Sequence, residues 1–467
     1  MFTQLKHHFI SLVFIILSCL LYYSFGHDLQ REDSIKLIAM AVAGFFLAHQ
    51  LLKREQDNFI ILLGAGLLYR LVLFGATPEL SQDFYRYIWD GELLVAGINP
   101  YLQTPNELIE GLQSSLPNAA YLYEKMGWLS QKHHSNYPPI SQYLYALVAY
   151  LAQGSIPTAI ILFKVIVLLA DIAVLFLSRR LMRHIGIAPW KAFWYFLNPL
   201  VVMELSGNLH LEGVMIAFFL AASCLLLKKP GAIGQSLLAA LCIALAIMTK
   251  LIPILFYPFL LAVMGFKKWL QVGVYVIIFC GLFLWPLLGE GFFNYYIETI
   301  GLWFNNFEFN AAMYNLVKSI SVLGGNSAYK TILGYGKILP FLILGLAVCV
   351  MIWQHLKAKG LKNHPRPVLK MHGALYAMLY MYSGYLFLAT TVHPWYLIFG
   401  LTLSLFTHHK YFIYWSLAVF LSYTTYADPA FKENLWIIGI EYLAVLGVLG
   451  YEIVKIKTPE SFSVKNV

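Results

Sequence analysis

A group of ionisable side chains stands out in the segment SQDFYRYIWDGELLVAGINPY, residues 81–101. If this segment forms a helix from its first residue, Asp83 and Asp90 lie seven residues apart and share one face. Arg86 and Tyr87 follow Asp83 by three and four residues and lie on that same face. A carboxylate pair beside an arginine can take a proton from a hydroxyl group or bind a polar substrate. The competing interpretation is an ion pair between Asp83 and Arg86 with a structural role alone.

Capping and turn residues surround this predicted helix. Ser81 can cap its start, and Gly97 with the pair Asn99-Pro100 favours a turn that ends it. The pair Pro138-Pro139 favours the start of another helix in YPPISQYLYALVAYLAQG.

A second polar group lies in FLNPLVVMELSGNLHLEGVM, residues 196–215. Asn198-Pro199 predicts a kink in an apolar run, which ends near Gly207. His210 and Glu212 follow at once, where the next apolar run begins. Ionisable residues at a membrane boundary are costly unless they have partners or water, so a functional role is one interpretation. The other is a helix cap beside an interfacial histidine.

Two more candidates stand at the ends of apolar runs. Lys250 lies between two such runs in IMTKLIPILFYP, where an isolated lysine is suited to a lipid phosphate. Its alternative role is simple snorkelling to the interface. His393 stands in TTVHPWYL, whose Trp and Tyr are typical of an interfacial aromatic belt. Lys164 and Asp171, seven residues apart in one apolar run, are predicted to pair for structural reasons.

The composition identifies a membrane protein. Of the 467 residues 60% are hydrophobic and 12% are charged, about half the share of roughly 25% typical of soluble domains. The apolar residues come in runs long enough to cross about 30 Å of hydrocarbon. We predict an all-α, polytopic membrane helical bundle with about fourteen transmembrane helices (range 12–14), in one domain covering residues 1–467. The predicted spans are 8–25, 34–52, 57–76, 157–178, 189–205, 210–228, 232–248, 250–265, 268–288, 336–357, 372–391, 394–407, 410–426 and 433–454.

The charges predict an orientation. The formal net charge of +9 comes from short basic clusters between apolar runs, such as Lys53-Arg54, Arg179-Arg180 and Lys228-Lys229, as the positive-inside rule requires. The basic residues do not line one polar face, which argues against a nucleic-acid partner. Placing the clusters in the cytoplasm puts both termini there and leaves two long loops outside, residues 77–156 and 289–335.

The segment that begins at Pro138 is a special case in this topology. If it crossed the bilayer, the basic residues Arg179–Arg183 would lie outside. We therefore predict that it forms a juxtamembrane helix at the outer interface.

At these motifs the chain resembles the GT-C class of membrane glycosyltransferases, and most closely the bacterial mannosyltransferases that use polyprenol-phosphate mannose. The family's Asp in the first large outer loop is matched by Asp83 and followed by GINPY at 97–101. Its Tyr-Pro-Pro entry to a juxtamembrane helix is matched at 137–139, and the resemblance implies that Asn99 and Tyr137 contact the substrate. The remaining matches are Asn198, Pro199, Leu200, Gly207, His210, Glu212, Lys250 and Pro253, and His-Pro-Trp-Tyr at 393–396. The family's His-Asn-Asp triplet reads His210-Leu211-Glu212 here, so the middle Asn is absent and the acid is Glu.

The resemblance implies an inverting transfer of a hexose, with mannose the first choice, from a polyprenyl monophosphate to a lipid or glycan acceptor. Asp83 would act as general base, and Lys250 with Arg86 would hold the phosphate that leaves. His210 and Glu212 would orient phosphate or sugar. It also implies an integral protein of the bacterial inner membrane with its site facing the periplasm or exterior. No cofactor is implied with certainty, and a divalent metal is compatible with the family.

Other functions fit a polytopic membrane protein. A transporter or flippase of a lipid-linked or small polar substrate is the main alternative, but transporters usually place ionisable groups near the midplane and often show repeated halves. Here the charged groups cluster at one predicted surface, and the sequence shows no repeat. A ligase that uses a lipid diphosphate and a catalytically silent scaffold subunit are further alternatives.

Overall fold

The chain is helical in the computed structural model, which describes residues 2–112, 115–227, 233–305, 307–360 and 367–456. Within these ranges β-type pairing is limited to an isolated bridge between Phe309 and Thr391. The predicted all-α class of a polytopic membrane protein is confirmed. The predicted basic cluster Lys228-Lys229 lies outside the described residues.

The α-helices fall into four groups along the chain. The first group is α1 (Phe2–His27), α2 (Ser34–Glu55) and α3 (Phe59–Leu71). The second is α4 (Asp83–Val95), α5 (Pro105–Leu112), α6 (Ala119–Lys125), α7 (Gly127–Lys132) and α8 (Pro139–Ala152). The third is α9 (Ile156–His184), α10 (Phe193–Phe196), α11 (Pro199–Val201), α12 (Glu212–Leu226), α13 (Ile233–Thr249), α14 (Leu261–Met264) and α15 (Phe266–Leu284). The last is α16 (Phe292–Asn305), α17 (Met313–Leu323), α18 (Ala328–Gly360), α19 (Pro367–Leu388), α20 (Leu397–Ser404), α21 (Tyr411–Ala418) and α22 (Leu435–Ile456).

Shorter helical turns connect these elements. The 3₁₀ turns are Pro189–Ala192, Ile252–Leu260, Trp285–Leu287, Pro394–Tyr396 and Val419–Ala427. A π-helical turn, Val202–Gly207, continues directly from α11.

Six helical segments are long and apolar enough to cross a membrane, judged by length and composition over the described residues. They are His8–His27, Ser34–Glu55, Ile156–His184, Phe266–Leu287, Ala328–Lys357 and Leu435–Lys455. A seventh crossing results if Pro199–Gly207 and Glu212–Leu226, which are bent by 114° relative to each other, count as one span. All fourteen predicted windows contain helix, but full-length crossings by this measure are about half as many.

Prolines and polar residues explain several of the shorter elements. In the predicted span 250–265, Pro253 and Pro258 lack the backbone N–H that a regular α-helix needs, and a 3₁₀ turn covers Ile252–Leu260. In the predicted spans 189–205 and 210–228, the helix is interrupted at Asn198-Pro199 and again after Gly207. The kink and the break predicted there are both present.

A buried ion pair joins the first and third groups of helices. Asp171 of α9 accepts a hydrogen bond from Arg70 Nε of α3 at 2.8 Å and another from the Tyr195 hydroxyl at 2.7 Å. Lys164, two turns earlier in α9, donates to the carbonyl oxygens of Leu73 and Ala76. The predicted pairing of Lys164 with Asp171 is therefore wrong. The two side chains do share a face of α9, but α3 supplies the partner of Asp171 and the segment after α3 supplies those of Lys164.

The two helices that frame the site, α4 and α8, approach each other closely at Gly91. A Cβ at this position would lie 2.3 Å from the carbonyl oxygen of Tyr145, so only glycine fits. Helix α8 begins at Pro139, where the sequence predicts its start, and its 14 residues span about 21 Å at 1.5 Å per residue. That length is too short for a full crossing, as the prediction of a non-crossing helix requires.

Candidate active site

The first turn of α4 exposes Asp83. The helix begins at Asp83 and not at Ser81, because the Ser81 hydroxyl accepts the backbone N–H of Asp83 at 3.3 Å and remains outside the helix. The Asp83 side chain is 37% exposed, whereas that of Asp90 is fully buried. Asp83 is therefore the acid of α4 that a ligand can reach.

The second turn of α4 is closed by a salt bridge. Arg86 Nε lies 2.6 Å from Asp90 Oδ1, and the Gln142 side-chain amide donates to Asp90 Oδ2 at 2.8 Å. Arg86 also donates to the carbonyl oxygens of Ser130 and His133. The ion pair considered between Asp83 and Arg86 is replaced by one between Arg86 and Asp90. Asp90 is thus held by structural contacts and is not among the residues that line the cavity described below.

Aromatic rings pack against the buried side of α4. Tyr87 stacks on Tyr145 with ring centroids 4.5 Å apart, and Tyr137 meets Tyr87 edge-on at 5.0 Å. Tyr87 is buried in this cluster, while Tyr137 also lines the cavity described below.

Asn99 stabilises the turn that follows α4 through two hydrogen bonds. Its side-chain amide donates to the Leu287 carbonyl oxygen at 2.6 Å, and its Oδ1 accepts the Tyr101 N–H at 3.0 Å. Gly97 occupies the positive-φ position of the turn, at 77°. Asn99 holds the predicted turn in place and is not among the cavity-lining residues.

His210 lies at the bend between the π-helical turn and α12. Its Nε2 is 3.9 Å from Asp83 Oδ2, and its Nδ1 is 3.2 Å from Glu204 Oε2. The imidazole is fully buried and stacks on Trp395 with ring centroids 3.8 Å apart. No hydrogen bond is made by Nε2 within the described part of the chain. Histidine and aspartate from distant parts of the sequence therefore face each other across a gap just longer than a hydrogen bond.

Glu212 and Lys250 form a second ion pair beside this group. The lysine amine contacts Glu212 Oε1, and the lysine side chain keeps 20% of its surface exposed. Glu212 starts α12, and Lys250 follows the last residue of α13. The sequence analysis names these two residues as separate candidates, and the structure shows that they form a pair.

His393 belongs to a stack of rings on the far side of Trp395. The His393 and Trp395 centroids are 4.3 Å apart, and Phe309 stacks on the other side of His393 at 4.9 Å. Burial, with the positive charges of His210 and Lys250 as lesser causes, lowers the pKa of His393 to about 3. His393 is therefore a neutral ring that packs next to the group around His210.

A cavity of about 390 Å³ opens beside Asp83. Asp83 and Arg86 form one wall, and residues 128–137 form another. Thr299, Leu302 and Phe307 close the third side. Burial lowers the pKa of both His133 and His134 in its lining, so these rings are neutral at physiological pH.

The sequence analysis missed Glu204, the partner of His210. Its carboxylate is fully buried and also accepts hydrogen bonds from the Tyr423 hydroxyl and, at 3.2 Å, from the Asn208 amide. A carboxylate inside a predicted span is itself a functional signal, and the Glu in VVMELSG carries that signal. The cavity residues Trp128 and His133 had no comparable signal, because nothing in their local pattern points toward Asp83.

Metal ligands are not gathered at this site. Among the described residues no group of three or more His, Cys, Asp and Glu side chains is arranged to hold a metal ion. The nearest approach to such a group, Asp83 with His210 and Glu204, is a chain of contacts and not a common centre.

Comparison with known proteins places the chain beside bacterial mannosyltransferases. Residues 34–265 match the model of a family described as alpha-(1->6)-mannopyranosyltransferase, N-terminal domain. That region contains every site residue named above except His393 and its ring partners, Tyr423, and the third side of the cavity.

Individual relatives agree with the family match. A probable alpha-(1->6)-mannopyranosyltransferase of Mycolicibacterium smegmatis is 26% identical over 190 residues, 40% of this chain and 32% of that protein. Alpha-(1->6)-mannopyranosyltransferase A of Corynebacterium glutamicum is 23% identical over 229 residues, 47% of this chain and 45% of the relative. The corresponding protein A of Mycobacterium tuberculosis is 24% identical over 240 residues, 50% of this chain and 43% of the relative. The chain thus spans less than half the length of the curated relatives it matches.

Fold and comparisons together describe a polytopic helical membrane protein that is similar in sequence to glycosyltransferases. Within that class, the resemblance to bacterial mannosyltransferases predicted from the motifs is confirmed, at low identity, by the family model and the relatives.

Proposed function

We propose that this chain transfers a hexose, mannose in the first instance, from a polyprenyl monophosphate donor to a lipid or glycan acceptor. The observation that carries the proposal is the contrast on α4: Asp90 engages Arg86, so Asp83 presents an exposed carboxylate to a cavity and faces His210. The names of the relatives support mannose as the sugar and an α-(1→6) linkage as the first product to test.

Asp83 serves as the general base in the proposed mechanism. Its carboxylate takes the proton of the acceptor hydroxyl as that oxygen attacks the anomeric carbon. The new bond joins acceptor oxygen and anomeric carbon, and the bond from that carbon to the phosphate oxygen breaks. The phosphate leaves with the electron pair, and the single displacement inverts the anomeric configuration.

Cationic groups beside Asp83 hold the leaving phosphate. Lys250 has part of its surface exposed and can exchange its contact with Glu212 for a phosphate oxygen. His210 and Glu212 orient the phosphate or the sugar. Arg86 contributes less to this step than the sequence predicts, because Asp90 already engages its guanidinium. Positive groups fixed before reaction stabilise the developing anion without reorganisation.

A transfer assay tests this function. The purified chain in lipid nanodiscs is given radiolabelled polyprenyl-phosphate mannose and a manno-oligosaccharide, and labelled product is separated from donor. Asp83→Asn should lower turnover by about 10²- to 10⁴-fold, the contribution typical of a general base, with an unchanged amount of folded protein. Asp57→Asn, at an exposed aspartate between α2 and α3, is the matched control and should leave turnover unchanged. Normal turnover in Asp83→Asn removes the proposed role, and movement of intact donor between leaflets without product supports a transporter.

The proposed location of the site is the outer face of a bacterial inner membrane, with both termini cytoplasmic. Single cysteines replacing Trp128 and Asp57, both exposed, should react with a membrane-impermeant thiol reagent from opposite sides in a background without the five native cysteines. Labelling of Trp128→Cys from the cytoplasmic side alone contradicts this orientation.

A further inference from the structure

The cavity beside Asp83 is built from segments outside the membrane-length helices. Its lining residues all lie between 83 and 137 or between 299 and 307, and none of the six crossing helices, nor the bent pair, includes any of them. These are the two stretches that the charge pattern predicts outside the bilayer, 77–156 and 289–335. A polyprenyl chain needs apolar surface continuous with lipid, and none of the membrane-length helices contributes a residue to this lining.

The lining combines an exposed aromatic ring with groups that form hydrogen bonds. Trp128 is 66% exposed, and Ser130, Asn136 and Thr299 are polar residues of the same lining. A ring with an apolar face and a few placed polar groups is the usual arrangement of a small-molecule site. The ring faces of a pyranose are apolar C–H surfaces and its edges carry hydroxyls, so a saccharide complements both features.

One buried donor in this wall lacks a partner. Arg86 is 3% exposed, and its Nη2 makes no hydrogen bond within the described residues although its Nε and Nη1 do. His134 Nδ1 is likewise buried and unsatisfied in that part of the chain, while its ring is fixed by stacking on Tyr295 at 4.5 Å. A buried donor left unsatisfied is costly, and native proteins rarely retain one. Both residues line the cavity, so a hydroxyl-bearing ligand that draws these side chains toward it could supply the missing partners.

We propose that this cavity is the acceptor subsite and binds a saccharide, which stacks on Trp128 and accepts a hydrogen bond from Arg86 Nη2. This inference rests on the proposed function. A sugar held there directs a hydroxyl at Asp83, the only carboxylate in the lining over the described residues. The donor then approaches Asp83 from the other side, where His210 and Lys250 lie.

Kinetics of a Trp128 variant test the subsite. In the transfer assay, Trp128→Ala should raise the KM for the manno-oligosaccharide acceptor about tenfold, as expected for the loss of one aromatic contact, and should leave kcat and the donor KM near wild type. Trp128→Phe keeps an aromatic face and should restore most of the loss. Trp436→Ala, at a tryptophan that is 85% exposed but absent from the lining, is the matched control and should change neither KM.

A binding measurement without donor separates the subsite from the catalytic proposal. Saturation-transfer NMR with α-1,6-mannobiose should show contact with the wild-type chain and with Trp436→Ala but not with Trp128→Ala. Trp128-dependent binding without any transfer supports the subsite and overturns the proposed function. Transfer with an unchanged acceptor KM in Trp128→Ala overturns the subsite alone, and a raised donor KM assigns the cavity to the donor instead. Absence of both binding and transfer overturns both.

Discussion

The two turns of α4 place the same chemical group in opposite environments. In the first turn, Asp83 is partly exposed and borders a cavity. In the second, Asp90 is enclosed by Arg86 and by Gln142 of α8. Both carboxylates lie on one face of one helix, so spacing alone does not distinguish them. The difference arises from where α8 packs.

The packing around α4 determines which acid pairs with Arg86, and the acid that is left without this ion pair is the one that can act on a substrate. An Arg at i pairs with an acid at i+4 as readily as with one at i−3 by spacing. Gln142 and the carbonyl oxygens of Ser130 and His133 surround the second turn and hold the guanidinium there. The contacts that make Asp90 structural are therefore the ones that leave Asp83 available for chemistry.

Replacing Asp90 should affect stability more than any other change in this comparison. Asp90→Asn keeps the shape but leaves the buried guanidinium of Arg86 without a counter-charge. Removing one partner of a buried ion pair costs about 3–5 kcal/mol, so we expect a markedly lower midpoint in thermal unfolding of the detergent-solubilised chain. Asp83→Asn, at an exposed side chain without an ion pair of hydrogen-bonding length, should change stability by less than about 0.5 kcal/mol.

A double replacement gives this prediction its control. Arg86→Met with Asp90→Leu removes both charges, and such exchanges are often neutral or stabilising. The double variant should therefore recover much of the stability lost in Asp90→Asn. Equal stability of Asp90→Asn and wild type, or loss of folding in Asp83→Asn, would reverse the assignment of the two carboxylates.

The sequence was sufficient for the helical class, and it identified acids and bases that the structure brings into contact in pairs. Asp83, His210, Glu212 and Lys250 match the motif of the family that the chain resembles, and each is an ionisable residue that needs an explanation in a membrane protein. Their pairings depend on how distant helices pack, which local pattern does not encode. Lys164 illustrates this limit, because its partners are two carbonyl oxygens in the segment that follows α3 and not the acid on its own helix.

The number of membrane crossings was less predictable from the sequence than the all-α fold class. Hydropathy windows detect apolar composition, but they do not distinguish a continuous helix from one interrupted by Pro253 and Pro258 or bent after Gly207. The cavity was beyond prediction for another reason. Trp128 and Thr299 are far apart in sequence and meet only because their two loops fold against α4.

The two sides of Asp83 differ as clearly as the two turns of α4. Toward the cavity, Asp83 meets polar side chains and open space. Toward the bundle, it meets His210, whose other nitrogen lies 3.2 Å from Glu204 and whose ring is covered by Trp395. The arrangement is a carboxylate, an imidazole and a second carboxylate in sequence. The contact with Glu204 and the stack on Trp395 therefore fix the ring that faces Asp83.

Glu204→Gln should therefore lower turnover without touching substrate. The carboxylate that lies 3.2 Å from His210 Nδ1 and accepts the Tyr423 hydroxyl becomes an amide, so the ring that faces Asp83 is held less firmly. We expect kcat to fall about tenfold, which corresponds to about 1.4 kcal/mol of barrier, with the KM values for donor and acceptor near wild type. Tyr423→Phe removes a hydrogen bond to the Glu204 carboxylate but keeps the carboxylate beside His210, so it should cost about 1 kcal/mol of stability and leave kcat near wild type. A fall in folded protein for Glu204→Gln with an unchanged kcat would restrict Glu204 to packing and would separate the buried side of the site from its chemistry.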